Sequence, residues 1–74
     1  MWKEGTIIVN GVICHYCLKR FEECSEYGID DGRISKLTIK ADGKITCNYD
    51  RGWDIEPTDK ITEQAFAILM HRYN

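Results

Sequence analysis

The first half of the chain alternates between hydrophobic and polar residues, which is the pattern of β-strands. Residues 6–9 are β-branched, and the Asn10 and Gly11 that follow favour a two-residue type I′ turn. We therefore predict a β-hairpin whose second strand runs from residue 12 to about residue 21. Because side chains alternate between the two faces of a strand, the more apolar face is assigned to the core. That face holds Ile7, Val9, Val12, Cys14, Tyr16 and Leu18.

A second hairpin is predicted from residues 34–40 and 44–49. The apolar residues of these two strands share a face only if three residues, 41–43, form the loop. Such a loop places Gly43 in the left-handed position of a G1 bulge. One face then holds Leu37, Ile39, Ile45, Cys47 and Tyr49, and the outer face holds Lys36, Thr38, Lys40, Lys44, Thr46 and Asn48.

The last part of the chain has the spacing of an amphipathic helix. Its apolar stripe consists of Ile61, Ala65, Ile68 and Leu69, with Phe66 and Tyr73 at the edge. We predict a helix over residues 59–73, with Thr58 as its N-cap. The elements together predict an α+β fold: a four-stranded antiparallel β-meander with one C-terminal helix packed on one face, in the order ββββα. Residues 1–74 are predicted to form a single domain.

The composition fits a small globular domain and narrows the classes of function. Of the 74 residues, 43% are hydrophobic, and no apolar run approaches the about 18 residues of a membrane span. The net charge of −2 argues against a generally basic nucleic-acid binder. The first residues lack the apolar core of a signal peptide. We therefore expect no membrane partner and a cytoplasmic protein whose four cysteines stay reduced.

The cysteines raise the alternative of a small zinc-binding domain. They are Cys14, Cys17, Cys24 and Cys47. Residues three apart on a strand point to opposite faces, which separates Cys14 from Cys17. We therefore predict no metal and no cofactor. Neither histidine accompanies a nucleophile motif, so we also predict no catalytic residue and no enzymatic activity.

Two polar segments, residues 25–37 and 48–54, are predicted to meet at one end of the sheet, because the register of the second hairpin places residues 33 and 34 beside residues 50 and 51. The candidate binding residues at this Arg33–Trp53 end are Arg33, Lys36, Tyr49, Asp50, Arg51, Trp53 and Asp54. We expect its alternating charges, at positions 33, 50, 51 and 54, to form an ion-pair cluster. A tryptophan beside two guanidinium groups suits a small anionic or planar ligand, and it also suits a protein partner. A purely structural role is the third interpretation.

These segments also resemble the signatures of a family of small uncharacterised proteins of Gram-positive bacteria and of their phages and mobile elements. The matching strings are SEYGI at residues 25–29, GRISKL at residues 32–37 and NYDRGWD at residues 48–54. The resemblance covers nearly the whole chain, from Trp2 to the helix. It implies a single small domain and a mobile-element origin, and it implies no particular activity. Its pattern includes none of the cysteines, which further weakens the zinc alternative.

The outer face of the first hairpin carries an apolar surface that one helix leaves uncovered. It consists of Ile8, Ile13 and Cys17, with Trp2 and Phe21 at its ends. Covering this surface with a second copy predicts a homodimer. We accordingly predict a non-enzymatic binding module whose main mode is protein–protein contact, including self-association.

Three other interpretations stay open. A phage-derived inhibitor of a host defence system would bind a protein or a nucleotide signal through the Arg33–Trp53 end. A nucleic-acid-binding domain would use Lys36, Lys40 and Lys44 on the outer face. A zinc-binding domain would use the cysteines.

Overall fold

The computed structural model describes residues 1–74 and shows an antiparallel sheet with one α-helix packed against it. The strands are β1 (Trp2–Val9), β2 (Val12–Arg20), β3 (Ile34–Ala41), β4 (Lys44–Asp50) and β5 (Trp53–Ile55), and the helix is α1 (Lys60–Tyr73). Each strand pairs with its neighbour in sequence, in the order β1-β2-β3-β4-β5. The predicted α+β fold with a C-terminal helix is confirmed, but the sheet has five strands rather than four. No helix is long and apolar enough to cross a membrane.

The first hairpin forms in the predicted register. Val9 pairs with Val12 across a two-residue turn. Asn10 and Gly11 take positive φ angles of 49° and 79° in that turn. A type I′ turn requires positive φ at both positions, and asparagine and glycine tolerate it best. The first strand begins at Trp2 rather than at residue 6, so it is eight residues long.

The second hairpin differs from the prediction at its turn. Ala41 pairs with Lys44, so two residues form the loop, and the predicted three-residue loop is wrong. Those two residues, Asp42 and Gly43, take φ angles of 52° and 77°. Because cross-strand partners share a face, Lys44 lies on the side of the buried Ala41 rather than on the predicted outer face.

A β-bulge in β4 supplies the extra residue that the loop lacks. Ile39 pairs with Cys47, but the next residue of β3 pairs with Ile45, which leaves Thr46 without a partner. Ile45 consequently lies on the outer face and is 49% exposed, so its predicted place in the core is wrong. Thr46 is hydrogen-bonded to Thr62 of α1, which contradicts its predicted place on the outer face. The apolar residues of β3 and β4 thus share a face because of a bulge, not because of a longer loop.

The core lies between the sheet and α1. The sheet contributes Ile7, Val9, Cys14, Tyr16, Leu18, Ile34, Leu37, Ile39, Ala41, Cys47 and Tyr49, and Ile29, Ala65 and Leu69 pack on them from outside the sheet. Burying one large aliphatic side chain contributes about 1.5–3 kcal/mol, so this face dominates the stability of the fold. Ile68 is exposed, so the buried stripe of α1 is narrower than predicted.

The helix α1 begins one residue later than predicted because Asp59, rather than Thr58, caps it. The Asp59 carboxylate accepts hydrogen bonds from the Thr62 backbone N–H at 2.9 Å and from the Thr62 hydroxyl at 2.7 Å. These bonds hold the pKa of Asp59 below its usual value. The Thr62 hydroxyl also lies 2.8 Å from the Thr46 hydroxyl, so the bulge of β4 and the start of α1 are joined.

The connection between β2 and β3 is held in place by Asn74. The Asn74 Oδ1 accepts hydrogen bonds from the backbone N–H groups of Arg33 and Ile34, at 2.8 and 2.9 Å. Its Nδ2 donates to the Ile29 carbonyl at 3.0 Å. Gly32 lies so close to this side chain that a Cβ at position 32 would overlap it. The connection therefore packs over one end of the sheet.

Candidate functional site

The Arg33–Trp53 end does not form the predicted ion-pair cluster. The one ion pair of the structure joins Lys36 Nζ to Asp50 Oδ1 at 3.8 Å. Arg33 is exposed, and the Asp54 carboxylate instead accepts a hydrogen bond from an asparagine side chain of β4. The shorter turn and the bulge together explain the error, because each shifts the pairing by one residue and Asp50 therefore lies opposite residue 36 rather than residue 34.

Tyr49 and Trp53 of the predicted set lie on the helix side of the sheet. They are cross-strand partners in β4 and β5, with ring centroids 5.0 Å apart. The Trp53 ring also lies 5.5 Å from the ring of Phe66 in α1. Tyr49 is buried, and its hydroxyl donates to the Tyr27 carbonyl at 2.8 Å. These two residues therefore pack the short fifth strand against the helix, which is a structural role.

Lys36 and Arg51 of the predicted set line a cleft at the same end of the sheet. The cleft has a volume of about 280 Å³. Its lining residues are Lys19, Phe21, Ser25, Tyr27, Ser35, Lys36 and Arg51. We call it the cationic cleft, because three of its residues carry positive charge and none carries negative charge.

Two of the three cations are placed directly against each other. Lys19 of β2 and Lys36 of β3 are cross-strand partners. Like charges in such a pair repel each other and destabilise the sheet. Asp50 offsets this repulsion on one side only, by its 3.8 Å contact with Lys36. The Lys19 ammonium has no carboxylate partner and lies 5.4 Å from the ring centroid of Phe21.

Arg51 reaches the cleft from the turn between β4 and β5. Its guanidinium carbon lies 5.4 Å from the ring centroid of Tyr27, which is a cation–π distance. Its backbone N–H donates to the Ser35 carbonyl at 3.0 Å, which fixes the turn to β3. The φ angle of Arg51 is 58°, a left-handed conformation that residues other than glycine, asparagine and aspartate seldom adopt. The guanidinium has no carboxylate partner.

Five lining residues of the cleft lie outside the predicted set. They are Lys19, Phe21, Ser25, Tyr27 and Ser35. The sequence did point to the last three, because they lie in the long polar segment 25–37, which is adjacent to the Arg33–Trp53 end. Lys19 and Phe21 belong to the end of the long second strand and its exit, and their place at the cleft depends on the pairing of β2 with β3.

The cysteines are dispersed rather than clustered. Cys14 lies in the core and Cys17 lies on the opposite face, so the predicted divergence of this pair is confirmed. Burial raises the pKa of the Cys47 thiol to about 12, and burial is also the main cause that raises the pKa of Cys14 and of Cys17. The thiols of these three cysteines are therefore neutral near pH 7. No group of three or more histidine, cysteine, aspartate or glutamate residues is placed to hold a metal ion.

Comparison with known proteins places the chain in a family. A family model described as a domain of unknown function (DUF7678) matches residues 1–74. The chain belongs to this family. The match to DUF7678 agrees with the resemblance seen in the sequence, because both concern small uncharacterised domains and both extend along the chain. No curated protein and no solved structure matches the chain. The DUF7678 match assigns no activity.

Proposed function

We propose that the domain is a non-enzymatic binding module whose cationic cleft holds the anionic group of a small ligand. The observation that carries this proposal is the direct pairing of Lys19 with Lys36, with Arg51 at the same cleft. An anion between these side chains would replace repulsion by charge-assisted hydrogen bonds, which are about twice as strong as neutral ones. Only one of the three cations, Lys36, has a carboxylate within ion-pair distance, that of Asp50 at 3.8 Å.

The other lining residues indicate what else the ligand carries. Phe21 and Tyr27 are each about half exposed, and their rings offer surfaces on which a planar group stacks. The Ser25 Oγ accepts a hydrogen bond from the Tyr27 N–H at 3.1 Å, which leaves its O–H proton to donate to an anion. The cleft of about 280 Å³ is slightly smaller than most drug-sized pockets, which start at roughly 300 Å³. A small aromatic phosphate fits this description.

The lining also supports binding rather than catalysis. It contains no histidine, which is the side chain that most often acts as a general base, and it contains no cysteine or carboxylate. Five of the lining residues lie in the three segments that carry the family resemblance. Ser25 and Tyr27 belong to residues 25–29, Ser35 and Lys36 to residues 32–37, and Arg51 to residues 48–54.

A calorimetric titration with adenosine 5′-monophosphate, adenosine and inorganic phosphate tests this function. We expect the monophosphate to bind more tightly than either fragment, because it engages the cations and the rings together. Lys19→Ala and Arg51→Ala should each weaken its binding by about tenfold or more. Lys40→Ala is the matched control, since it removes an exposed cation from the same sheet but outside the cleft. Equal losses in all three variants, or no binding of the monophosphate, would contradict the proposal.

Protein contact, including self-association, is the second candidate function. Ile8 and Ile13 are cross-strand partners on the outer face and are 69% and 51% exposed. The two-residue turn of the second hairpin adds Ile45 to the exposed apolar residues of the same face. Such a surface favours a homodimer through the first hairpin. An Ile13→Glu variant that stays folded but loses self-association would support this candidate.

The remaining alternatives receive unequal support. An origin in phages or mobile elements, with a cytoplasmic inhibitor that binds a nucleotide signal, is compatible with the cationic cleft. A nucleic-acid interface on Lys36, Lys40 and Lys44 is less well supported, because the two-residue turn sets Lys44 opposite Ala41, on the other side of the sheet. A zinc site is less well supported too, because its candidate cysteines lie on opposite faces.

A further inference from the structure

The first strand leaves one side of the sheet unpaired. β1 is the outermost strand on its side and pairs only with β2. It extends over eight residues, without proline and without any register shift along β2. A long, regular edge strand is a template for another strand, and most proteins shield such edges.

The hydrogen-bond pattern shows which backbone groups are free. Met1 and Arg20 exchange two hydrogen bonds, at 2.9 and 3.0 Å. In an antiparallel ladder, hydrogen-bonded pairs alternate with pairs that are not hydrogen-bonded. The odd residues of β1 therefore bond to β2, and the even residues direct their N–H and C=O groups to the open edge. Those residues are Trp2, Glu4, Thr6 and Ile8.

We propose that β1 pairs antiparallel with β1 of a second copy, about a two-fold axis at Gly5. This inference rests on the second candidate function, self-association, and is independent of the cationic cleft. In this register Trp2 lies opposite the partner's Ile8, and symmetry repeats the pair. Trp2 is 55% exposed and Ile8 is 69% exposed, so each covers apolar surface of the other.

The neighbouring two-fold registers are worse matched. Moving the axis to Glu4 sets this carboxylate directly against the partner's Glu4, and like charges in a cross-strand pair repel. Moving the axis to Thr6 sets Glu4 against the partner's Ile8, which desolvates a carboxylate on an apolar side chain. With the axis at Gly5, the two central residues have no side chains, so the backbones approach without a clash. Charge and shape thus select a second copy in one register.

A proline substitution tests the pairing. Thr6→Pro removes an N–H that faces the open edge, so it leaves the bonds to β2 in place. We expect the wild type to form a dimer in analytical ultracentrifugation and Thr6→Pro to raise the dimer dissociation constant by about tenfold or more. Thr6→Val keeps the N–H and should dimerise like the wild type. Circular dichroism of each variant confirms that the fold is kept.

A charge pair tests the register. Trp2→Glu should weaken the dimer, and the double variant Trp2→Glu with Ile8→Lys should restore it, because opposite charges then face each other across the axis. Failure of this rescue would overturn the register. A dimer that resists Thr6→Pro but is lost in Ile13→Glu would overturn the edge pairing and leave self-association standing. A wild type that is monomeric at millimolar concentration would overturn both the edge pairing and self-association. So would an open edge of β1 that binds only a foreign extended peptide and no second copy.

Discussion

Several side chains at the cationic cleft are held in arrangements that the stability of the fold does not explain. The direct pairing of Lys19 with Lys36 costs a few tenths of a kcal/mol to about 1 kcal/mol. Arg51 adopts a φ of 58° although the next residue is a glycine, which tolerates that conformation better. Left-handed conformations of other residues cost of the order of 1–3 kcal/mol, and such strained residues cluster at functional sites. Both features have a physical reason if an anion binds between these residues.

Among single residues, the N-cap of α1 also allows a prediction about stability. Asp59→Ala removes both bonds to Thr62 and should lower the free energy of unfolding by about 1 kcal/mol. Because the pKa of Asp59 is lowered in the folded state, its stabilising contribution is present above its unfolded pKa near 3.9 and is lost as the pH falls through the folded value. Urea unfolding between pH 2 and pH 7 measures this. Thr58→Ala is the control, and a larger loss in that variant would show that Thr58 is the true cap.

At the scale of elements, the two-residue turn and the bulge of β4 together determine the register of the second hairpin. The apolar pattern requires one extra residue in this hairpin, and either a longer loop or a bulge satisfies the pattern. The structure uses the bulge at Thr46, with a two-residue turn before it. The bulge also anchors the sheet to the helix through the hydrogen bond between Thr46 and Thr62.

This anchor predicts an energetic coupling between β4 and α1. Thr46→Val and Thr62→Val each remove one hydroxyl of the pair at nearly constant volume. In a double-mutant cycle on the free energy of unfolding, we expect a coupling of about 0.5–1.5 kcal/mol. Thr38→Val with Thr62→Val is the control cycle, because Thr38 bonds to Asn48 and not to the helix. Additive losses in the first cycle would contradict the anchor.

The same elements show how much the sequence could predict. The first hairpin was predictable because Asn10 and Gly11 define its turn and therefore its register. The fifth strand was not, since three exposed residues carry no periodic signal and are held by the contacts of Trp53. Of the predicted site, Lys36 and Arg51 do line the cleft, but the predicted ion pairs depended on a register that was two residues out.

At the scale of the whole molecule, the two proposed surfaces are compatible. The cleft lies where β2, β3 and the turn after β4 meet, whereas the open edge lies on β1. Pairing in the proposed register sets Trp2 and the partner's Ile8 on one face, so both cationic clefts would open on the same side of a continuous sheet. Lys19 connects the two surfaces, because its ammonium lies 5.8 Å from the Trp2 ring centroid and also lines the cleft.

Residue-resolved NMR shows whether the cationic cleft binds an anionic ligand. In a titration of the ¹⁵N-labelled wild type with adenosine 5′-monophosphate, we expect the largest saturable amide shifts at Lys19, Phe21, Ser25, Tyr27, Ser35, Lys36 and Arg51. Residues of the first turn, such as Asn10 and Gly11, should not move and serve as internal controls. Shifts that grow linearly without saturation, or that concentrate at the open edge of β1 instead, would show that the cleft does not bind this ligand.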